Sequence, residues 1–230
     1  MTRAIYFDTE TTGIKSEKDR IIEIAAYCST SDTSFSTLIN PQCPIPQEAT
    51  NIHNITDEMV SNAPTFEKVA HEFINFCKGP CALIAHNMDA FDKLFLEAEF
   101  NRAGIEVPSN WLFVDTLKWS RRYRPDLPRH SLQFLREIFE IEENNAHRAL
   151  DDVIILHKVF TQMIDDLDIA VVHELLNTKK LLHVMPFGKH QGKPLTSVPK
   201  SYFEWLKTSG AFDKVANKEL EESLKQLNLL

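Results

Sequence analysis

Tyr6-Phe7-Asp8-Thr9-Glu10-Thr11-Thr12-Gly13 is the stretch on which the reading of this chain turns. Apolar Ala4, Ile5, Tyr6 and Phe7 predict a short buried strand. That strand delivers two acids, Asp8 and Glu10, whose i, i+2 spacing puts them on one face. Two carboxylates ~4 Å apart repel by roughly 4 kcal/mol at an effective dielectric of ~20. A hard divalent cation between them removes that penalty, because Mg²⁺ favours carboxylate and water oxygens. On these residues alone, a solvated strand end beside a polar turn explains the pair equally well.

Working outward, Arg20–Cys28 (RIIEIAAYC) reads as a second strand and Ser34–Ile39 as a third. The gap between these two is short, which predicts an antiparallel meander. Thr65 is positioned to cap a helix over Phe66–Cys77 with a wide apolar face. Cys81–Ala85 reads as a buried strand, Ala90–Ala103 as a helix stopped by Gly104, and Trp111–Val114 as another strand. Helical spacing follows over Thr116–Tyr123, Ser131–Phe139 and Ala146–Leu167. A sheet begun by a meander and continued by strands alternating with helices is an α/β layered fold.

The chain has 230 residues, enough for one sizeable core and a small appendage. Apolar residues at 43% and charged residues at 25% are ordinary globular values and argue against disorder. The net charge of −8 excludes a generic basic nucleic-acid coat, though not a nucleic-acid enzyme that offsets charge with metals or a local basic strip. The charge is uneven: Lys118, Arg121, Arg122, Arg124, Arg129 and Arg136 oppose only Asp126 over 118–136, and 183–230 holds seven lysines against five acids. Cys77 and Cys81 have no zinc or redox spacing, so they read as buried free thiols, with a metal site involving nearby His71 as the weaker alternative. That usage suits a reducing cytosol. With no signal peptide ahead of Ala4 and no apolar run long enough for a bilayer, a soluble cytoplasmic protein is the expectation.

Three more segments carry polar residues where a core would not want them. His86-Asn87-Met88-Asp89-Ala90-Phe91-Asp92 leaves a buried strand and enters a helix. His147-Arg148-Ala149-Leu150-Asp151-Asp152 opens another helix. In both, taken alone, helix capping explains the acids better than chemistry does. Spacing alone leaves Asp89 or Asp92, and Asp151 or Asp152, as alternatives. Asp115 at a strand end reads as a helix cap, and Glu23, inside an apolar strand, as structural.

Together these pieces resemble the DEDDh exonucleases, the DnaQ-like branch of the RNase H-like superfamily. FDTETTG (7–13), IHNIT (52–56), AHNMDAFD (85–92) and HRALDD (147–152) occur in that family's order across about residues 4–160. One departure is an extra residue between Asn87 and Asp92, a longer spacing similar to that of TREX-like members. The resemblance selects Asp92 over Asp89 and Asp152 over Asp151. It implies an RNase H-like mixed sheet flanked by helices. It further implies a two-metal hydrolysis in which Asp8 bridges two Mg²⁺ ions ~3.5–4 Å apart, with Mn²⁺ as a substitute. Glu10 and Asp152 complete the first ion, Asp92 supports the second, and His147 is the general base. Thr11, Thr12 and Gly13 become candidate donors to the terminal nucleotide, Ile14 a wedge against its base, and His53, Asn54 and Asn87 further substrate contacts.

The tail FGKHQGKPLTSVPKSYFEWL (187–206) resembles the C-terminal module of exodeoxyribonuclease X-like proteins. Phe187–Lys193 reads as a Gly-bearing hairpin, and Pro199–Lys207 and Asp213–Leu227 as helices. Its lysines and aromatics suit phosphate contact and base stacking, and equally a satellite core with a solvated face. The expected division is an exonuclease domain at 1–167, a linker at 168–183 and the small module at 184–230. The resemblance implies 3′→5′ release of nucleoside monophosphates, with DNA favoured as substrate and RNA the alternative. A homodimer and a polymerase or repair partner are further expectations. A non-catalytic accessory protein or a proofreading subunit acting in trans are the competing readings.

Overall fold

A computed structural model describes residues 2–142, 149–178, 181–213 and 217–230. The chain divides into two compact units, 1–176 and 177–230.

In the first unit, strands β1 (Arg3–Thr11), β2 (Ile21–Cys28) and β3 (Thr33–Leu38) form the expected antiparallel meander. Two short helices follow, α1 (Gln47–His53) and α2 (Asp57–Val60), neither of which the apolar spacing predicts. They close over a small core of Ile22, Ile45, Ala49, Ile55 and Val60. The IHNIT segment is therefore a helix end, a left-handed Asn54 at φ 60° and a Thr56 N-cap, not a plain loop. Next come α3 (Phe66–Phe76), β4 (Cys81–Ala85), α4 (Asp92–Arg102) and β5 (Trp111–Asp115). Then come α5 (Thr116–Tyr123), α6 (Leu132–Ile138), α7 (Ala149–Ile164) and α8 (Ile169–Asn177).

The five strands run in the order β3-β2-β1-β4-β5, with β4 parallel to both β1 and β5. β1 is central, so it must be buried on both faces. Ile5 and Phe7 enter one core with Phe73, Phe95 and Phe100 of α3 and α4. Tyr6 enters the opposite core with Val153, Leu156 and Phe160 of α7. Ile169, Val172 and Leu176 belong to that second core. The segment expected as a linker, 168–183, thus begins with a helix packed on the first unit's core, because those three side chains share one helical face.

In the second unit, 3₁₀ turns at Gly188–His190, Leu195–Ser197 and Ala211–Asp213 accompany α9 (Lys200–Thr208) and α10 (Lys218–Gln226). The expected hairpin is reduced to one antiparallel bridge, Val184 to Pro194. Pro186 and Pro194 lack the N–H groups that would lengthen the ladder. Met185, Leu195, Phe203, Leu206, Phe212, Leu220 and Leu224 form this unit's own core.

No described helix is long and apolar enough to cross a membrane. Cys28, Cys77 and Cys81 are buried free thiols and Cys43 is an exposed one.

Candidate active site

The site is built at the far end of β1. Alternation puts Asp8 and Glu10 on the face that Tyr6 shares with α7, both half-buried. Thr9 points to the opposite face, where its hydroxyl donates to Asp92 Oδ1 at 2.9 Å. A register break between Glu10 and Thr11 ends regular pairing with β2. Such bulges turn a strand and re-aim its side chains.

Two helices bring further carboxylates by their first turns. Asp92 opens α4 and is 2% exposed, whereas Asp89 lies outside, 52% exposed and 3.6 Å from Lys118 Nζ. Asp151 and Asp152 both lie in the first turn of α7. Only Asp152 of these two acts on Asp8 and Glu10. The helix dipole makes a first-turn carboxylate tolerable at either place.

The charges act on one another. Desolvation raises the proton affinity of Asp8 well above the usual carboxylate range, and the negative charges of Asp92, Glu10, Asp152 and Glu23 raise it further. Glu10 is pushed up to about 7 by desolvation, then by Glu23, Asp152 and Asp92. Asp92 is pushed up to about 7 by desolvation, against the opposing hydrogen bond from Thr9. Glu23 is the member that sequence reasoning set aside as structural. It lies directly across from Glu10 in the β1–β2 register and is only 3% exposed. The signal was present: an acid flanked by Ile22 and Ile24 in an apolar strand needs a reason to be buried.

His147 lies outside the described residues. Among the described residues, no three His, Cys, Asp or Glu side chains converge closely enough to hold an ion as they stand. The carboxylates share a field and not a ready cage. Their chemistry still fits a hard divalent cation: oxygen donors only, and proton affinities raised first by desolvation and then, at Asp8 and Glu10, by neighbouring carboxylates whose repulsion a cation relieves.

The candidate substrate contacts divide. Ile14 is 82% exposed and free to meet a ligand. Thr11 and Thr12 are buried, and their hydroxyls are used internally: Thr11 donates to the Gly13 carbonyl and Thr12 accepts from Arg20 N–H. A Cβ at Gly13 would lie 2.4 Å from Asp19 Oδ2, so a larger residue there would displace the carboxylate that accepts from Lys15 N–H. His53 is buried, not offered on a loop. Its Nδ1 accepts from Ile55 N–H at 3.0 Å, which fixes the proton on the buried Nε2, and the Thr11 backbone acts on the ring. Asn54 is exposed and Asn87 half-buried at φ 72°. His86 is fully engaged, by Thr116 Oγ1 at 2.9 Å and the His130 carbonyl at 2.8 Å. Asp115 caps α5 through Leu117 and Lys118 N–H, as its position suggested. In the basic strip, Arg124 is held by Asp126 and Arg136 by Gln133 and the Ile141 carbonyl. Arg121 and Arg129 remain exposed.

The residues that carry this site lie within a stretch shared with known proteins. Residues 5–160 match the RNase_T family model, described as Exonuclease. The chain belongs to this exonuclease family. Its mixed sheet with flanking helices is the RNase H-like fold of the DnaQ-like exonucleases. The DNA polymerase III subunit epsilon of Treponema pallidum is 42% identical over 165 residues, covering 69% of this chain and 74% of that protein. Exonuclease DPD1 of Arabidopsis thaliana is 36% identical over 183 residues, covering 73% of this chain and 58% of its own length. A PolC-type DNA polymerase III of Caldanaerobacter subterraneus is 36% identical over 166 residues, 71% of this chain but only 12% of the polymerase. Among solved structures, exonuclease X in complex with 5′-overhanging duplex DNA superposes with a TM-score of 0.58 at 24% identity, over 76% of this chain and 99% of that one. Residues 173–226 match a second family, described as a putative quorum-sensing-regulated virulence factor.

Proposed function

We propose that this exonuclease-family chain is a 3′→5′ exonuclease that hydrolyses DNA to nucleoside 5′-monophosphates, using two Mg²⁺ ions held by Asp8, Glu10, Asp92 and Asp152. The observation that carries the reading is the placing of Asp8 and Glu10 on one face of β1, with Glu23 across the strand pair and with Asp92 and Asp152 near enough for their charges to act on both. A fold does not keep such a cluster for stability, because each like charge raises the cost of ionising the next. Bound divalent ions supply an acidified water and neutralise the departing oxygen.

The chain's own groups do the rest. Asp8, on the middle strand, would hold the cations together with its neighbouring carboxylates. Glu10 and Asp152 meet from the α7 side, and Thr9 orients Asp92 from the α4 side. His147, in the HRALDD stretch, accepts the proton of the attacking water at an imidazole nitrogen. Ile14, largely exposed beside Gly13, wedges against the last base. DNA is favoured on the likeness to exonuclease X with its duplex DNA and to a DNA polymerase subunit.

The likeness to an epsilon subunit, over most of that protein, favours one second reading: proofreading in company with a polymerase. Both readings demand hydrolysis. A 5′-labelled oligonucleotide should shorten from its 3′ end when Mg²⁺ is present, and Mn²⁺ should substitute. If Asp8→Ala and His147→Ala shorten it as fast as the parent chain, the proposal fails.

A further inference from the structure

A unit as small as 177–230 needs its large apolar side chains inside. Phe203 and Phe212 are inside, and Phe187 packs against the same core. Trp205 is left 57% exposed. It is not a stray ring. Tyr202 lies three residues before it on α9, so both project from one side of the helix. The two rings stack, with centroids 5.6 Å apart at 27°. Tyr202 also meets the edge of His190, with centroids 4.7 Å apart. The turn before α9 is shaped to this cluster: Gly188 has φ 75°, and a Cβ there would lie 2.5 Å from Tyr202 Oη.

Lys189 and Lys193 flank the same histidine. Desolvation, then Lys193 and Lys189, lower the pKa of His190, which marks both ammonium groups as neighbours. Both lysines are exposed. The ion pairs of this unit join Lys218 and Lys225 to Glu221, and neither Lys189 nor Lys193 has an acid partner among the described residues. Residues 177–230 carry nine lysines against five acids in a chain of net charge −8.

We propose that Trp205, Tyr202 and His190, with Lys189 and Lys193, form a binding face for single-stranded nucleic acid, made of residues other than those of the carboxylate site. Stacked rings accept any base on their faces, while ammonium groups beside them meet the backbone phosphates. A dry protein partner would want apolar neighbours around Trp205. Here Tyr202 stacks on Trp205, and His190 with its two lysine neighbours lies against Tyr202, a run of groups that suits a polyanion with exposed rings. The inference rests on the exonuclease reading for its use, a second grip on the strand being trimmed, and not for its chemistry.

The test uses the full chain in EDTA, with fluorescein-labelled oligothymidylate and oligouridylate of about twenty nucleotides read by anisotropy. Trp205→Ala should weaken binding roughly five-fold or more, the effect of one lost base stack, and Trp205→Phe should restore most of it. Lys189→Glu with Lys193→Glu should flatten the dependence of log K on log salt by about 1.4, at ~0.7 per phosphate contact. Mg²⁺-dependent hydrolysis of a mononucleotide p-nitrophenyl ester should be unchanged in all three variants. Parental affinity and salt slope in both Trp205→Ala and the lysine variant would overturn the proposal. So would failure of the parent to bind either oligonucleotide, which would leave an acidic protein as the occupant. Loss of ester hydrolysis in the parent, with Trp205-dependent binding intact, would sink the nuclease reading alone.

Discussion

Asp8 shows how one side chain trades stability for chemistry. Desolvation and four neighbouring carboxyls oppose its ionisation. Asp8→Asn keeps the shape and removes the charge. It should abolish detectable exonuclease activity yet raise the melting temperature of the metal-free protein at pH 8. Each kcal/mol relieved is worth roughly 2–4 °C in a chain of this size. Scanning calorimetry of both proteins in EDTA checks this, and a lower melting temperature for the variant would contradict the repulsion argument. Glu23 gives a second prediction at this scale. Glu10 owes its elevation first to desolvation and next to Glu23 across the strand pair. Glu23→Gln should move the Glu10 midpoint below its value of about 7 in the metal-free protein, measured by carboxyl carbon NMR. An unmoved midpoint would remove Glu23 from the account and leave the elevation to desolvation, Asp152 and Asp92.

At the scale of elements, the site depends on where β1 ends and how α4 is anchored. Sequence spacing left Asp89 and Asp92 as alternatives. The 3₁₀ turn Met88–Ala90 takes up the extra residue, turns Asp89 outward toward Lys118 and lets α4 begin at Asp92, which favours Asp92 as the proposed ligand. Farther along α4, Glu99 is 1% exposed and holds Arg20 at 2.7 Å and Arg102 at 3.1 Å. It also accepts from Ile21 N–H at 3.2 Å, where β2 begins. This carboxylate ties the helix carrying Asp92 to the strand carrying Glu23. Glu99→Ala leaves two guanidinium groups facing a buried gap, and breaking such a pair typically costs about 3–5 kcal/mol. Urea denaturation should show that loss, with exonuclease activity at low temperature falling less than in the Asp8 variant. A change under 1 kcal/mol would mean that solvent reaches the pair.

For the whole molecule, the carboxyl cluster sets how stability responds to pH and metal. Glu10 and Asp92 titrate near 7 when folded, against about 4 in an unfolded chain. The folded state therefore binds more protons between about pH 4 and 7, so stability falls as pH rises through that window. Metal-free protein should melt lower at pH 8 than at pH 5.5. Divalent cations bind the ionised cluster and should raise the melting temperature at pH 8 in proportion to the logarithm of their concentration, with far less effect at pH 5.5. Equal melting temperatures at the two pH values in EDTA, or no response to Mg²⁺ or Mn²⁺ at pH 8, would remove the cation from the account.

The sequence by itself determined the architecture and singled out the acids proposed for the site. Strand and helix periods are local properties, and FDTETTG, AHNMDAFD and HRALDD each place an acid at the end of a strand or the start of a helix through short-range rules. Elements with little apolar period escaped it, including α1, α2 and the reduced hairpin near Gly188. Only tertiary structure decided which carboxyls feel one another, because Glu23, Asp92 and Asp152 reach Asp8 from a neighbouring strand and two helices far apart in the chain. It alone separated buried His53 from exposed Ile14, and core Phe203 from surface Trp205. Burial and electrostatic coupling are properties of the packed whole, and a linear pattern carries them only as an acid or an aromatic ring in need of an explanation.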